Sequence, residues 1–295
     1  MSRLRVVFVQ GRPRFGDPAA NLERGLALAA REPGDLVVLP ELWASGYVFS
    51  SRAEVMTLAE DATRGITART LVAAARRERR HYVAGFAERH RGRFYNSAML
   101  VGPSGVRGLY RKLHLFEHER DWFESGNLPL AVHRVGPARV GLLICFDWRF
   151  PETARVLALA GADVIAHPSN LVFPDAQRIM IGRAFENRVF VVTANRTGAD
   201  DRPAGRVRFT GRSQIVDPDG RVLARAGVAE TCARGADCDL ASARDKALTG
   251  ITHLFTSRRP EFYRALIGSP AWGRTRPRAP RVRGRGRPRT GRVAG

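Results

Sequence analysis

Three side chains that could form a nucleophilic site each stand where an apolar run of the sequence ends. Glu41 follows "LVVLP", Lys112 follows "GLYR", and Cys145 closes "GLLIC". A thiol nucleophile needs a base that takes its proton and a group that stabilises the developing negative charge. A carboxylate, an ammonium group and a thiol together could meet these needs. The three residues are therefore a candidate acid–base, cation and nucleophile set.

Cys145 has a second interpretation, because cysteine is among the most buried residue types and could simply fill the end of a core strand. The segment "GLLICFDWRFPE" (141–152) passes from an apolar strand through polar residues to a helix that begins at Pro151. A strand-to-helix turn of this kind lifts a side chain out of the sheet and leaves backbone N–H groups beside it. The segment alone leaves both interpretations open, and the combination with Glu41 and Lys112 favours a nucleophile. His167 is instead expected to be a structural histidine.

The elements that must position these residues alternate along the chain. Apolar runs predict buried strands, and proline or aspartate at the start of amphipathic segments predicts helices. The main predicted strands are 4–10, 35–41, 140–145, 163–169 and 189–195, and the main predicted helices are 17–31, 66–80, 151–162 and 176–188. Strands interleaved with helices, with hairpins between some of them, predict α/β layers over mixed sheets in one domain.

Three segments resemble the signature blocks of the nitrilase (carbon–nitrogen hydrolase) superfamily. They are "LPELWASGY" with Glu41, "YRKLHLF" with Lys112 and "ICFDWRFPE" with Cys145, and their order along the chain matches that family. The resemblance covers roughly residues 3–265. It implies a four-layer α-β-β-α sandwich, in which two sheets face each other and helices lie outside them.

The resemblance also implies roles for individual residues. Cys145 would be the nucleophile, Glu41 would take its proton and later activate water, and Lys112 would hold the tetrahedral oxyanion together with the backbone N–H of Phe146. Glu119, in "FEHERDWFESG", is the best match to the second glutamate of many family members. Each further pocket candidate has a structural alternative, core packing for the aromatic rings and a loop cap for the amide: Tyr47, Trp148 and Asn170.

The reaction implied by the resemblance is hydrolysis of a non-peptide C–N bond in a small molecule. An amidase of the omega-amidase or carbamoyl-amine type, releasing ammonia, is the leading expectation. A nitrilase that converts a small nitrile to an acid and ammonia is the alternative, because both chemistries use the same three residues. No metal or organic cofactor is implied, and a homodimer or larger homo-oligomer is expected.

Composition adds limits outside the catalytic question. The net charge is +21, but residues 271–295 hold nine arginines and no acidic residue. We therefore expect residues 1–268 to form the hydrolase domain and 269–295 to be a disordered Arg/Gly/Pro-rich tail, with weak polyanion contact possible. A nucleic-acid-binding protein acting through this tail is the alternative from another class.

Three cysteines and the lack of a long apolar run favour a cytoplasmic protein that does not enter a membrane. Two other enzyme classes are not supported, because no strand is followed by G-x-G-x-x-G and the sequence "GPSG" is a hairpin turn and not G-x-S-x-G.

Overall fold

The structure is a computed structural model that describes residues 2–268. The tail expected at 269–295 lies outside the described residues. The chain divides into one unit that ends at Phe255 and a second that begins at Thr256. In the second unit the described elements are two short 3-10 helices, Pro260–Phe262 and Arg264–Leu266.

Every strand and α-helix among the described residues lies in the first unit. The strands are β1 Arg3–Gln10, β2 Leu36–Val38, β3 His81–His90, β4 Arg93–Gly102, β5 Gly105–Arg111, β6 Val132–Val135, β7 Ala138–Leu142, β8 Val164–Pro168, β9 Phe190–Ala194, β10 Ala199–Arg202, β11 Gly205–Arg208, β12 Gln214–Val216, β13 Val222–Arg225 and β14 Cys232–Asp239. The α-helices are α1 Pro18–Ala29, α2 Arg52–Leu58, α3 Ile66–Glu78, α4 Glu119–Trp122, α5 Pro151–Leu159, α6 Ala176–Asn187 and α7 Leu240–Arg244.

The strands form two mixed six-stranded sheets and one hairpin. The first sheet has the order β14-β1-β2-β3-β4-β5, and the second has the order β13-β12-β9-β8-β7-β6. Parallel pairs occupy the middle of each sheet (β1-β2-β3 and β7-β8-β9), and antiparallel strands flank them. Strands β10 and β11 pair only with each other.

Alternation along β1 explains why the sheets stack. Successive side chains of a strand point to opposite faces. Val6 and Phe8 belong to the core shared with the second sheet, whereas Val7 and Val9 belong to the core under α1 and α3. Leu157 of α5 contacts β7 from the outer side of the second sheet, so helices cover that face too. The expected four-layer α-β-β-α sandwich is confirmed.

Two strands that lead to candidate residues end earlier than their sequences predicted. Strand β2 ends at Val38 and not at Glu41. Pro40 lies between these two residues and has no N–H that could extend the ladder of strand hydrogen bonds. Strand β7 ends at Leu142 and not at Cys145. There, Asp147 Oδ2 accepts a hydrogen bond from the Ile144 N–H at 2.9 Å, which withdraws that amide from the sheet. Cys145 instead opens a 3-10 helix, Cys145–Arg149.

Gly85 in β3 lets the turn that carries Glu41 cross closely over the first sheet. A Cβ atom at this position would lie 2.4 Å from the backbone nitrogen of Leu42 and 2.5 Å from the Cα of Glu41. Real Cβ atoms do not approach backbone so closely. The placement of Glu41 therefore requires that position 85, on the neighbouring strand β3, has no side chain.

We expect Gly85→Ala to lower the free energy of unfolding by about 1–3 kcal/mol, because the methyl group must push the Glu41 turn away from β3. Urea denaturation followed by circular dichroism measures the change. Gly182→Ala in α6 is the matched control, since nothing lies within 4 Å of its new Cβ. That control should raise the free energy of unfolding by up to about 1 kcal/mol. Equal effects of the two substitutions would contradict the steric argument.

Candidate active site

A buried ammonium group joins two buried carboxylates at the centre of the candidate site. Lys112 Nζ donates to Glu41 Oε1 and to Glu119 Oε1, each at 2.7 Å. The side chains of Lys112 and Glu41 are fully buried and that of Glu119 is 5% exposed. Charges this deep in a protein are tolerable only when they are paired and hydrogen-bonded, and here the one ammonium group pairs with both carboxylates. The structure thus brings three sequence-predicted site residues into one cluster.

Two further side chains donate to the carboxylates of this cluster. Asn96 Nδ2 donates to Glu41 Oε1 at 2.7 Å, and Tyr47 Oη donates to Glu119 Oε1 at 2.8 Å. Glu41 Oε2 is buried and has no hydrogen-bond partner among residues 2–268. Sequence reasoning missed Asn96. Its signal was an asparagine inside the buried strand "FYNSAMLV", where asparagine is depleted unless its amide has a partner.

Cys145 lies at the turn that follows β7 and is 6% exposed. Its backbone φ is +39°. This value lies in the left-handed region, which residues other than glycine rarely adopt. Leu42, next to Glu41, and Glu117, two residues before Glu119, also have positive φ values of 47° and 44°. Such conformations are held only where the surrounding structure enforces them, and they cluster at functional sites. Three of the seven non-glycine residues with positive φ among residues 2–268 thus lie at a candidate residue or within two residues of one.

Asp147 forms the polar network that holds the Cys145 turn. Its Oδ2 accepts from Tyr110 Oη at 2.7 Å as well as from the Ile144 N–H. Its Oδ1 lies 2.8 Å from the ring Nδ1 of His114. These contacts tie the turn to β5 and to the segment after Lys112. The nucleophile candidate and the cation candidate therefore share one rigid support.

His167 supports the same turn from the second sheet. Its Nε2 lies 2.9 Å from the carbonyl oxygen of Cys145, and its Nδ1 lies 3.1 Å from Thr193 Oγ1. Burial lowers the pKa of His167, which favours the neutral ring. A neutral ring that donates from Nε2 can accept from Thr193 at Nδ1. This satisfied pairing fits the structural role expected for His167.

The electrostatics of the cluster favour the thiol form of Cys145. Burial first, and then the charge of Glu41, raises the pKa of Cys145 well above its ordinary value, and Lys112 and the backbone N–H of Asn170 oppose this only in part. Burial alone would lower the pKa of Lys112, but Glu119 and Glu41 outweigh it and raise that pKa. Burial also raises the pKa of Glu119. A thiolate at this position would need a base that removes the proton during the reaction.

The remaining predicted pocket residues surround the cluster in different ways. Asn170 Nδ2 donates to the backbone oxygen of Glu41 at 2.9 Å. The ring centroids of Phe146 and Phe116 are 5.1 Å apart. Trp148 is buried in the core. A pocket of about 370 Å³ opens on Tyr47 and Glu119. Within residues 2–268, no three His, Cys, Asp or Glu side chains are grouped so that they could hold a metal ion.

The family model for carbon-nitrogen hydrolases matches residues 5–247. The chain is 43% identical over 263 residues to a nitrilase from Pyrococcus abyssi, which covers 88% of this chain and 99% of that protein. It is 43% identical over 229 residues to an (R)-stereoselective amidase from a Pseudomonas species, covering 76% and 81% of the two chains.

A solved structure that is 26% identical, with a TM-score of 0.72, covers 88% of this chain and 95% of its own. That structure is a mutant of the amidase from Nesterenkonia sp. AN1 with covalent addition of the acetamide moiety of fluoroacetamide at the active-site cysteine. The family match spans the strands and turns that carry Glu41, Lys112 and Cys145. The chain belongs to the carbon–nitrogen hydrolase family.

Proposed function

We propose that this carbon–nitrogen hydrolase is an amidase that releases ammonia from a small-molecule amide, with Cys145 as nucleophile. The observation that carries the proposal is the buried pairing of Lys112 with Glu41 and Glu119 within electrostatic range of the Cys145 thiol. A base, a fixed cation and a thiol are what acyl transfer to sulfur requires. The cysteine-bound acetamide moiety in the related amidase supports the same role for Cys145.

The reaction would proceed in two stages. Glu41 takes the thiol proton as Sγ bonds to the carbonyl carbon, and Lys112 and the Phe146 backbone N–H stabilise the oxyanion. The C–N bond then breaks, and ammonia leaves with the proton from Glu41. Glu41 next removes a proton from water, which attacks the thioester and releases the carboxylic acid and the Cys145 thiol. Glu119 holds the Lys112 ammonium in place throughout.

Nitrile hydrolysis is a second candidate, favoured by the 43% identical relative named a nitrilase. Attack of the same thiol on a nitrile carbon gives a thioimidate, and one water then displaces ammonia to give the same thioester. Glu41 and Lys112 would serve both reactions. Ammonia release from matched amide and nitrile pairs distinguishes the two activities.

We also propose that the protein forms a homodimer or a larger homo-oligomer. Val156 and Leu159, three residues apart on α5, and Phe185 on α6 expose large apolar side chains, at 44%, 42% and 62% exposure. Residues three apart share one helix face, so Val156 and Leu159 form one exposed apolar strip. A second copy of the chain would cover it.

Two further proposals concern the setting of the enzyme. We propose a cytoplasmic location because the chemistry depends on a reduced cysteine. No helix among the described residues is long and apolar enough to cross a membrane. Weak polyanion contact by residues 269–295 remains a proposal that is independent of catalysis.

Cys145→Ala should lower kcat for amide hydrolysis by about 10⁴-fold or more, because no other group can form the thioester. Ammonia release from acetamide, succinamate, a carbamoyl amine and the corresponding nitriles measures it. Cys232→Ala, at a half-buried cysteine in β14, is the matched control and should keep full activity. Turnover that survives Cys145→Ala would refute the proposed nucleophile.

Tyr47→Phe should move the acid limb of the kcat/KM profile to higher pH by up to about one unit. Burial raises the pKa of Glu119, and the Tyr47 hydroxyl opposes this by donating to the ionised carboxylate. Removing that donor raises the pKa of Glu119 further, so Glu119 becomes protonated and loosens Lys112 at a higher pH. Profiles of ammonia release between pH 4 and 9 measure the shift. Tyr263→Phe is the control, and a limb that stays put or moves to lower pH would contradict the role of Tyr47.

Phe185→Asp should convert the dimer to monomer, because it buries a charge in the apolar interface. Sedimentation velocity measures the oligomeric state. Met56→Asp, at a 56% exposed methionine of α2, is the matched control and should stay dimeric. A wild-type chain that sediments as a monomer would rule out the proposed dimer.

A further inference from the structure

The pocket that opens on Tyr47 and Glu119 is much larger than a small acyl group needs. Its volume is about 370 Å³. An engineered apolar cavity of about 150 Å³ is enough to bind benzene. The pocket therefore has room for an aromatic ring, and Glu119, which lines it and accepts a hydrogen bond from Lys112, marks the side from which a short chain would lead to the reacting amide carbon.

Aromatic side chains form most of the apolar wall of this pocket. Phe116 and Phe173 meet edge to face, with ring centroids 5.8 Å apart, and Trp122 and Phe123 lie on the same lining. Edge-to-face contacts are the geometry in which aromatic rings attract one another beyond simple burial. A planar ring entering the pocket would extend this packing.

The opposite wall is the β10–β11 hairpin, and two arginines hold β10 in place. Arg196 is fully buried, forms two 2.8 Å hydrogen bonds with the carboxylate of Asp200 and stacks 4.0 Å from the ring centroid of Phe209. Arg202 donates to the backbone oxygen of Val48 at 2.7 Å. These contacts fix β10, and β11 pairs with it, so this wall of the pocket is preformed.

The charges at the mouth are of both signs. Glu117, Arg206 and Arg208 are exposed on the lining, and neither arginine has an ion-pair partner in the part of the chain that is described. An amide with a terminal carboxylate is therefore the strongest competing substrate. It would leave the aromatic wall mostly uncovered, whereas an aromatic ring would cover it.

We propose that the substrate is an amide whose acyl chain ends in an aromatic ring, with the ring between Phe116, Phe173 and the hairpin and the carboxamide at Cys145. This inference rests on the proposed amidase activity and names its substrate class. The overall reaction is arylalkanamide plus water to arylalkanoate plus ammonium.

The test compares kcat/KM of the full chain for 3-phenylpropanamide, propionamide and succinamate by ammonia release. We expect the aryl amide to exceed propionamide by about 100-fold, since the ring is buried only in the aryl substrate. Preference for succinamate, or equal rates for propionamide and the aryl amide, would overturn the aryl inference and leave the amidase proposal intact. No turnover of any amide would instead defeat the proposed function, and this inference with it.

Phe173→Ala links the preference to the pocket. It should reduce the ratio of kcat/KM for 3-phenylpropanamide to that for propionamide by about tenfold, because it removes one aromatic wall. Phe262→Ala, at an exposed phenylalanine outside the pocket, is the matched control and should leave the ratio unchanged. An unchanged ratio in Phe173→Ala would show that the ring binds elsewhere and would refute the assignment.

Discussion

The contact of one ammonium group with two carboxylates, all buried, is the constraint on which the rest of the structure depends. Lys112 is within 2.7 Å of both Glu41 and Glu119, and none of the three reaches water to a useful extent. Removing one partner of a buried ion pair leaves an uncompensated charge and typically costs about 3–5 kcal/mol. The three residues must therefore be buried together when the protein folds. This requires that the separate segments that carry them meet at one place in the fold.

Two stacked sheets provide that common point. Glu41 follows β2 and Lys112 follows β5 in the first sheet, while Cys145 follows β7 in the second. The sheets share a core, so residues that leave their facing strands at one end meet between the layers. Gly85 and Asp147 then correct the positions locally, the first by allowing close approach and the second by ending β7 early. Distant parts of the chain are joined by layer packing and aligned by single residues.

The sequence predicted the local and the motif-based features well. Hydrophobic runs located the core strands and proline located the starts of α1 and α5, because these signals lie within one segment. It did not predict the pairing of β14 with β1 or the β10–β11 hairpin as a wall, because partners of exposed or short strands are chosen by long-range packing. Asn96 was missed for a similar reason, since its amide is explained only by Glu41, 55 residues away.

Two features of the candidate site are unfavourable in the free protein. One disfavours the charged form of Cys145, and the other disfavours the folded backbone at that residue. Burial raises the pKa of Cys145 and so disfavours its thiolate. The left-handed backbone conformation of Cys145 adds local strain. Neither feature stabilises the free protein. Both fit a nucleophile that loses its thiol proton only when Sγ forms a bond to an electrophilic carbon. A thiol that ionised freely would instead be open to oxidation in the absence of substrate. The surrounding bonds from Asp147 and His167 hold the turn in this unfavourable state, so the fold itself maintains the readiness of the site.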